Sequence, residues 1–304
     1  MSVSVRVVTI VGPTASGKTS LAVELAHRLG RAEIVNADSM QLYRAMDIGT
    51  AKPSVEERDG VPHHLFDVLG VEETATVAEF QTMARAAIAD CHARGVTPIL
   101  VGGSALYVRA VLDRLDFPGT DPAVRDRWKD ELAARGPDAL HAELARRDPA
   151  AAAQILPTND RRVVRALEVI EMTGEPFAAT MPAYESVFEG LTMFGLDVPR
   201  DVLDVRLAAR VDQMWAAGFV DEVRELREVG LEDGLTASRA LGYQQILAFL
   251  RGETTEDEAR EATVTGTRKF ARRQDRLFRK DPRIHWLPYD AEDLVDQALT
   301  LIGG

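Results

Sequence analysis

The chain of 304 residues contains a single cysteine, Cys91. An internal disulfide framework and any multi-cysteine zinc module are therefore excluded. Long apolar runs are also missing. The run at residues 3–11 is interrupted by Arg6 and is far too short to span a bilayer. No charged head, apolar stretch and small-residue cleavage site follow one another, so no secretion signal is expected. The simplest compartment is a reducing cytoplasm, with no membrane partner. Aromatic residues make up only 6 % of the chain, and its three tryptophans are too scattered to form a base-stacking platform. Acidic side chains outnumber basic ones, 48 to 36. A net charge of −12 argues against a partner held by overall charge, such as nucleic acid coated by a basic surface.

What is present reads as a globular protein, 46 % hydrophobic and 28 % charged, long enough for one large domain or two modest ones. The charge is unevenly placed. Residues 268–283 hold eight basic side chains (Arg268, Lys269, Arg272, Arg273, Arg276, Arg279, Lys280 and Arg283) against Asp275 and Asp281. That window is +6 and the remainder is −18. A local basic stripe on an acidic body suits a directed polyanion site. The spacing of three and four between its arginines predicts one basic helix face over 268–283. The alternative is a basic face paired to acids of the body.

The pattern along the chain alternates between strand and helix. Strands are expected at residues 5–11, 33–37 and 97–101, with helices at 20–29 and 76–94 between them. Such alternation predicts a parallel α/β sheet. Residues 121–175 are instead helical throughout, rich in Ala, Arg and Asp. Asp121-Pro122 and Asp148-Pro149 there read as helix starts, with Asp as cap and Pro in the first turn. Strand patterns return at 191–198 and 284–287. The expected organisation is an α/β core of residues 1–117 and 191–304, interrupted by a helical insertion at 118–190.

Gly12-Pro13-Thr14-Ala15-Ser16-Gly17-Lys18-Thr19 fits G-x-x-x-x-G-K-[ST], with a strand before it and a helix after it. Glycines let the backbone wrap phosphate oxygens, and the loop N–H groups and helix N-terminus then face the anion. Lys18 supplies charge for terminal phosphates and Thr19 a hydroxyl for Mg²⁺. The fold class is thus α/β, a P-loop NTPase-like parallel sheet flanked by helices. The motif specifies a di- or triphosphate without saying which. Asp38 follows the second strand on the edge where parallel sheets bind ligands. Asp at such a position is also a common turn former. The third strand ends in Gly102-Gly103-Ser104, without the acid that a phosphoryl-transfer enzyme usually has there.

Beyond the phosphate loop, Ala37-Asp38-Ser39-Met40-Gln41-Leu42-Tyr43 and Met46-Asp47-Ile48-Gly49-Thr50-Ala51-Lys52-Pro53 resemble the signature of tRNA dimethylallyltransferases. So do Pro62-His63-His64-Leu65, Val101-Gly102-Gly103-Ser104-Ala105-Leu106-Tyr107, residues 159–168 and Leu241-Gly242-Tyr243-Gln244. The resemblance runs in order over nearly the whole chain. It implies transfer of a dimethylallyl group from dimethylallyl diphosphate to N6 of an adenosine in the tRNA anticodon stem-loop, with Mg²⁺. Asp38 would take the amine proton. Residues 12–19, Lys18 above all, and Arg210 would hold the diphosphate, with the metal on Thr19. Ser104 stands where the family usually has Thr and keeps the hydroxyl. Arg206 and Arg210, four apart, face one way on a predicted helix.

For the RNA, the resemblance and the side-chain chemistry point to Asp38, Ser39, Met40, Gln41 and Ser104, and to Arg125, Asn159, Asp160, Arg161, Arg162 and Arg165. Further on they point to Arg239, Gly242, Tyr243 and Gln244, and to Arg272, Arg273 and Arg276. The target base must leave its stack to react. His63-His64 has no cysteine or acid at metal-ligand spacing and reads as structural or substrate-adjacent. A monomer is expected. The competing readings are a nucleotide or small-molecule kinase, an isopentenyltransferase acting on free adenine nucleotides, and a non-catalytic nucleotide switch that binds RNA.

Overall fold

The computed structural model describes residues 6–177 and 183–303. Along the chain, β1 (Arg6–Val11) leads through the phosphate loop into α1 (Lys18–Leu29), followed by β2 (Ala32–Asn36) and a two-residue strand β3 (His63–His64). Then come α2 (Val77–Ala93), β4 (Thr97–Gly102) and α3 (Ala105–Leu112). Local chemistry sets these boundaries. Gly17 and Gly30 take left-handed conformations at the two ends of α1, and Thr76 caps α2 by accepting the Glu79 N–H. β3 has no signature in the sequence because two residues are too few to show alternation.

Four helices follow: α4 (Pro122–Arg135), α5 (Pro137–Arg147), α6 (Pro149–Gln154) and α7 (Asp160–Thr173). Asp121 caps α4 through the Ala123 and Val124 N–H groups, and Asp148 caps α6 through Ala151, as the Asp-Pro pairs predict. Contacts separate Arg114–Glu185 as a compact unit with its own core around Trp128, Leu140, Leu144, Ile155, Val163 and Leu167. The boundaries differ by a few residues from the 118–190 read from the sequence.

The other unit resumes with β5 (Gly190–Asp197), α8 (Arg200–Ala216), α9 (Phe219–Glu228), α10 (Tyr243–Leu250), α11 (Glu256–Phe278), β6 (Ile284–Pro288) and α12 (Leu294–Gly303). Thr255 and Glu258 form a reciprocal capping box at the start of α11. That helix ends at Phe278, so the basic run expected over 268–283 is only partly helical. Arg279, Lys280 and Arg283 lie past its end, where Asp281-Pro282 cannot continue the helix.

All strand pairings in the sheet are parallel, in the order β3-β2-β4-β1-β5-β6. Buried Val7, Val11, Leu100 and Met193 pack with α2 and α3 on one side, while Val8, Ile10, Ile99 and Phe194 pack with α1 and α12 on the other. This is the P-loop NTPase-like arrangement, with the loops after β1, β2 and β4 gathered at the carboxyl edge of the sheet. A third cluster, Tyr43, Met46, Phe219, Leu231, Tyr243 and Ile246, joins the segment after β2 to α9 and α10. Among the described residues no helix is long and apolar enough to cross a membrane.

β2 and β4 approach closely because residue 102 is glycine. A Cβ there would lie 2.5 Å from the Ala37 carbonyl oxygen and 2.6 Å from the Ala37 Cβ, neither of which can rotate away. Gly102→Ala is expected to lower stability by about 2 kcal/mol through overpacking. Urea unfolding of the purified protein measures this, and an unchanged midpoint would show that the strands separate freely.

Candidate active site

The phosphate loop is a backbone structure first. Gly12, Ala15 and Gly17 all have positive φ, of 140°, 63° and 101°, which turns successive N–H groups inwards at the start of α1. Lys18 Nζ donates to the Pro13 carbonyl at 2.6 Å, folding its chain back over the loop. The Thr14 hydroxyl accepts from Arg210 on α8 at 3.3 Å, and the Thr14 N–H donates to Gln274 on α11 at 3.0 Å. Ser16 Oγ is buried without a protein partner.

Asp38 sits past the end of β2. Asn36 holds its backbone by accepting the Asp38 N–H at 2.9 Å and donating to the Asp38 carbonyl at 3.0 Å. The carboxylate accepts the Met40 N–H at 2.9 Å. Burial raises its pKa above the ordinary carboxylate value, opposed by that N–H and by the charges of Lys18 and Arg210. Lys18 is brought down to about 7, by desolvation first and by Arg210 second, with Asp38 pulling the other way. Desolvation lowers Arg210 as well. A carboxylate with raised basicity and two cations thus share one sheltered site, the combination expected where a proton is taken up and negative charge develops.

Two cavities meet at Thr14, Asp38, Thr50, Ala51, Arg210 and Gln274. One, of about 900 Å³, runs along the phosphate loop from Thr14 to Ser20 and includes Arg206. The other, of about 800 Å³, has an apolar wall containing Met40, Leu207, Val211, Met214, Leu241 and Phe270. Arg239, Gln244, Lys269, Arg273 and Arg276 also line it, all of them exposed. Ser104 faces this second cavity, and its hydroxyl makes no capping bond to α3. Thr19, at the start of α1, is exposed in the first cavity.

Several residues read from the sequence as RNA contacts have other employment. Tyr243 is fully buried, with its hydroxyl donating to Glu222 at 2.6 Å, and Gly242 is pressed against Phe219, 2.6 Å from where a Cβ would be. Tyr243 forms part of the second cavity's wall, and Gly242 packs beside it against Phe219. Gln41 donates to the carbonyls of Thr50 and Ala51. Ser39 is hydrogen-bonded to Tyr107, whose hydroxyl burial pushes up to about 12. In the helical unit, Arg125 and Arg165 both pair with Glu168, which is completely buried, at 2.8 and 3.0 Å. Arg165 also donates to the Pro118 and Gly119 carbonyls. An unpaired buried carboxylate is costly, so both arginines are needed to neutralise Glu168, whatever their partly exposed faces contact. Asn159, Asp160, Arg161 and Arg162 are exposed. On α11, Arg272 pairs with Asp204 at 3.2 Å, whereas Arg273 and Arg276 point into the second cavity.

A family model for IPP transferases matches residues 41–281. The chain belongs to the IPP transferase family. A tRNA dimethylallyltransferase of Thermobifida fusca is 64 % identical over 97 % of this chain and 94 % of its own. The solved tRNA isopentenylpyrophosphate transferase of Bacillus halodurans is 41 % identical, covers 98 % of this chain and 94 % of its own, and superposes with a TM-score of 0.71. A eukaryotic dimethylallyltransferase solved acting on tRNA is 27 % identical, with 97 % and 76 % covered and a TM-score of 0.82.

Two residues of this IPP transferase escape sequence reading. Glu222 on α9 accepts the N–H groups of Asp47, Ile48 and Gly49 at 3.0, 2.6 and 3.1 Å as well as the Tyr243 hydroxyl, and so fixes the Met46–Pro53 signature from far along the chain. Lys52 anchors the same segment from inside, on Asp47, Asp67 and the Tyr43 carbonyl. Gln274 is the other missed residue. Only its position in the Arg-rich stretch hinted at it.

The fold gives His64 the acid and cysteine that its sequence spacing lacks, bringing Glu33 and Cys91 to it, with His64 Nε2 2.7 Å from Glu33 and 4.0 Å from the sulfur. Arg94 grips both Glu33 oxygens at 2.6 Å, and burial pushes the Cys91 thiol up to about 11. A protonated thiol and a neutralised carboxylate make a structural ion-pair cluster rather than a cation site.

The lowered Lys18 generates a pH prediction. An arriving diphosphate restores the ammonium's favourable surroundings and raises its pKa again. At pH 8 free Lys18 is mostly neutral, so binding of inorganic diphosphate is expected to take up close to one proton; at pH 6 it is already charged and uptake vanishes. Calorimetry in buffers of different ionisation enthalpy measures this, with Lys18→Met correcting for titration of the ligand itself. Equal uptake by both proteins at pH 8 would refute it.

Proposed function

We propose that the protein transfers a dimethylallyl group from dimethylallyl diphosphate to N6 of the adenosine on the 3′ side of the tRNA anticodon, releasing diphosphate. The observation that carries the reading is the junction of the two cavities at Asp38, Thr14 and Arg210. One cavity offers loop N–H groups, Lys18 and Arg210 to a diphosphate. The other offers apolar walls and a rim with Arg239, Lys269, Arg273 and Arg276 to an unstacked base and its flanking phosphates. The names of the relatives agree with this reading.

The chemistry follows from what each group can hold. N6 of adenine is a weak nucleophile because its lone pair is delocalised into the ring. As N6 bonds to the allylic carbon, the carbon–oxygen bond to diphosphate breaks and the N6 proton becomes acidic. Asp38 takes that proton, and its raised basicity suits the task. Negative charge grows on the leaving oxygen, where Lys18, Arg210 and the loop N–H groups stabilise it. The exposed Thr19 hydroxyl at the loop suits Mg²⁺, which needs few protein ligands when phosphate oxygens and water complete its shell. The ion would supply further charge neutralisation on the diphosphate. The cytoplasm, where tRNA is processed, is the compartment this reading implies.

The deciding assay incubates the protein with Mg²⁺, dimethylallyl diphosphate and unmodified tRNA, then weighs the nucleosides by mass spectrometry, with AMP as acceptor or ATP as donor in parallel tubes. Prenylated adenosine in tRNA alone is expected. Prenylated AMP, or ATP turnover without prenyl transfer, would replace the reading by a free-nucleotide transferase or a kinase. Asp38→Asn keeps an acceptor for the Met40 N–H but removes the base. It is expected to lower kcat by about 10²–10⁴-fold with tRNA affinity retained, and near-normal turnover would remove Asp38 from that role.

Arg273→Gln with Arg276→Gln is expected to weaken tRNA binding and to reduce the slope of log Kd against log salt by roughly one to two. Arg272→Gln, already paired to Asp204, should change that slope less. The opposite ranking in filter-binding titrations would contradict the assignment of the cavity rim.

A further inference from the structure

Gln274 carries an arrangement that the transfer chemistry alone does not require. Its side chain is buried, at 5 % exposure, in the last two turns of helix α11, one residue from Arg273 and two from Arg276. Both ends of its amide are engaged. Nε2 donates to the Gly103 carbonyl at 2.7 Å, and Oε1 accepts the Thr14 N–H at 3.0 Å. The partners fix the amide orientation, since a carbonyl needs a donor and an N–H an acceptor. Gly103 makes the room, because a Cβ there would stand 2.4 Å from Nε2.

One amide therefore ties the loop after β1 to the loop after β4. Thr14 belongs to the first, and Ser104 follows Gly103 in the second. These are the two flanks of the junction at which Asp38 stands. The Thr14 N–H is committed to the glutamine and not left for phosphate, so the contact orients the loop instead of adding to its anion donors. Thr14 is held a second time by Arg210 through its hydroxyl.

We propose that Gln274 is a positioning residue, which sets the geometry of the phosphate loop from the helix whose arginines rim the acceptor cavity. The proposal rests on the reading of the two cavities as donor and acceptor sites. Gln274 borders both cavities, but both polar ends of its amide are already taken by Thr14 and Gly103. It acts through Thr14 on diphosphate binding and on departure of the leaving group. Its neutrality is essential. A carboxylate in its place would still accept the Thr14 N–H, but would set an anion against the Gly103 carbonyl and beside the diphosphate. A protonated carboxyl group would restore one donor and one acceptor in the same places.

The test uses full-length Gln274→Glu and Gln274→Met beside the unaltered protein. Three quantities are read at pH 8 and pH 5.5: the Kd of inorganic diphosphate by calorimetry, the Kd of an anticodon stem-loop by fluorescence anisotropy, and kcat for prenyl transfer to tRNA. At pH 8 both variants are expected to bind diphosphate and turn over at least about tenfold less well than the unaltered protein, the effect of one buried hydrogen-bond pair lost. Stem-loop affinity should stay within about twofold. At pH 5.5 the Glu variant should recover towards the unaltered protein as its buried carboxyl takes up a proton, and the Met variant should not.

Diphosphate binding by the Met variant equal to that of the unaltered protein would overturn the proposal. So would a Glu deficit that is the same at both pH values, or stem-loop affinity that falls in step with diphosphate affinity. Absence of diphosphate binding by the unaltered protein would overturn the donor-site reading and this proposal together. Normal diphosphate binding without tRNA prenylation would overturn the functional reading alone, leaving the binding comparison to decide the role of Gln274.

Discussion

A carboxylate sharing a poorly hydrated site with two cations is expensive to assemble, and the structure is arranged around that expense. Asp38, Lys18 and Arg210 come from the segment after β2, the start of α1 and the middle of α8. Each alone would be unfavourable there, since burial disfavours the charged form. Together the two cations offset the carboxylate but oppose one another, which leaves the site electrostatically unsaturated and receptive to an anion. The close β2–β4 approach at Gly102, the Asn36 clasp on the Asp38 backbone and the fold-back of Lys18 onto Pro13 all hold these charges in place before any ligand arrives. Groups held in advance need no reorganisation when charge moves, which is the basis of electrostatic catalysis.

The surface charge shows a related economy. The basic window of residues 268–283 suggests a broad positive stripe, yet four of its eight basic side chains already have protein partners. Arg268 donates to the Asp204 carbonyl and Arg272 pairs with the Asp204 carboxylate; Arg279 pairs with Asp197 and Asp275, and Arg283 with Asp113 and Asp281. Lys269, Arg273 and Arg276 have no acid partner among the described residues and face the second cavity. Pairing thus concentrates much of the unpaired positive charge at one opening, which on an acidic protein favours a directed mode of polyanion docking.

The parts legible in the sequence were those whose cause is local. The phosphate loop is eight consecutive residues between a β-branched strand and a helix, and Asp38 follows its strand directly, so pattern and position suffice. The Asp-Pro helix starts of the insertion were equally readable. What pairs with what was not. Nothing in the sequence shows that Arg125 and Arg165 share the buried Glu168, or that the Tyr243 hydroxyl is already spent on Glu222. The sign of a charge is written in the chain, but whether it is already neutralised depends on residues tens to hundreds of positions away. The same holds for Glu33, His64 and Cys91, separated along the chain and adjacent in the fold.

The reach of the Gln274–Thr14 hydrogen bond, 260 residues, bears on biosynthesis. The phosphate loop leaves the ribosome 260 residues before the glutamine that orients it, and the Met46–Pro53 segment 174 residues before the Glu222 that fastens it. A nascent chain thus carries the binding sequence long before it carries the restraints that shape it. Competence waits until that distant glutamine has emerged and closed on the loop, and a product terminated before it would display the motif without the geometry.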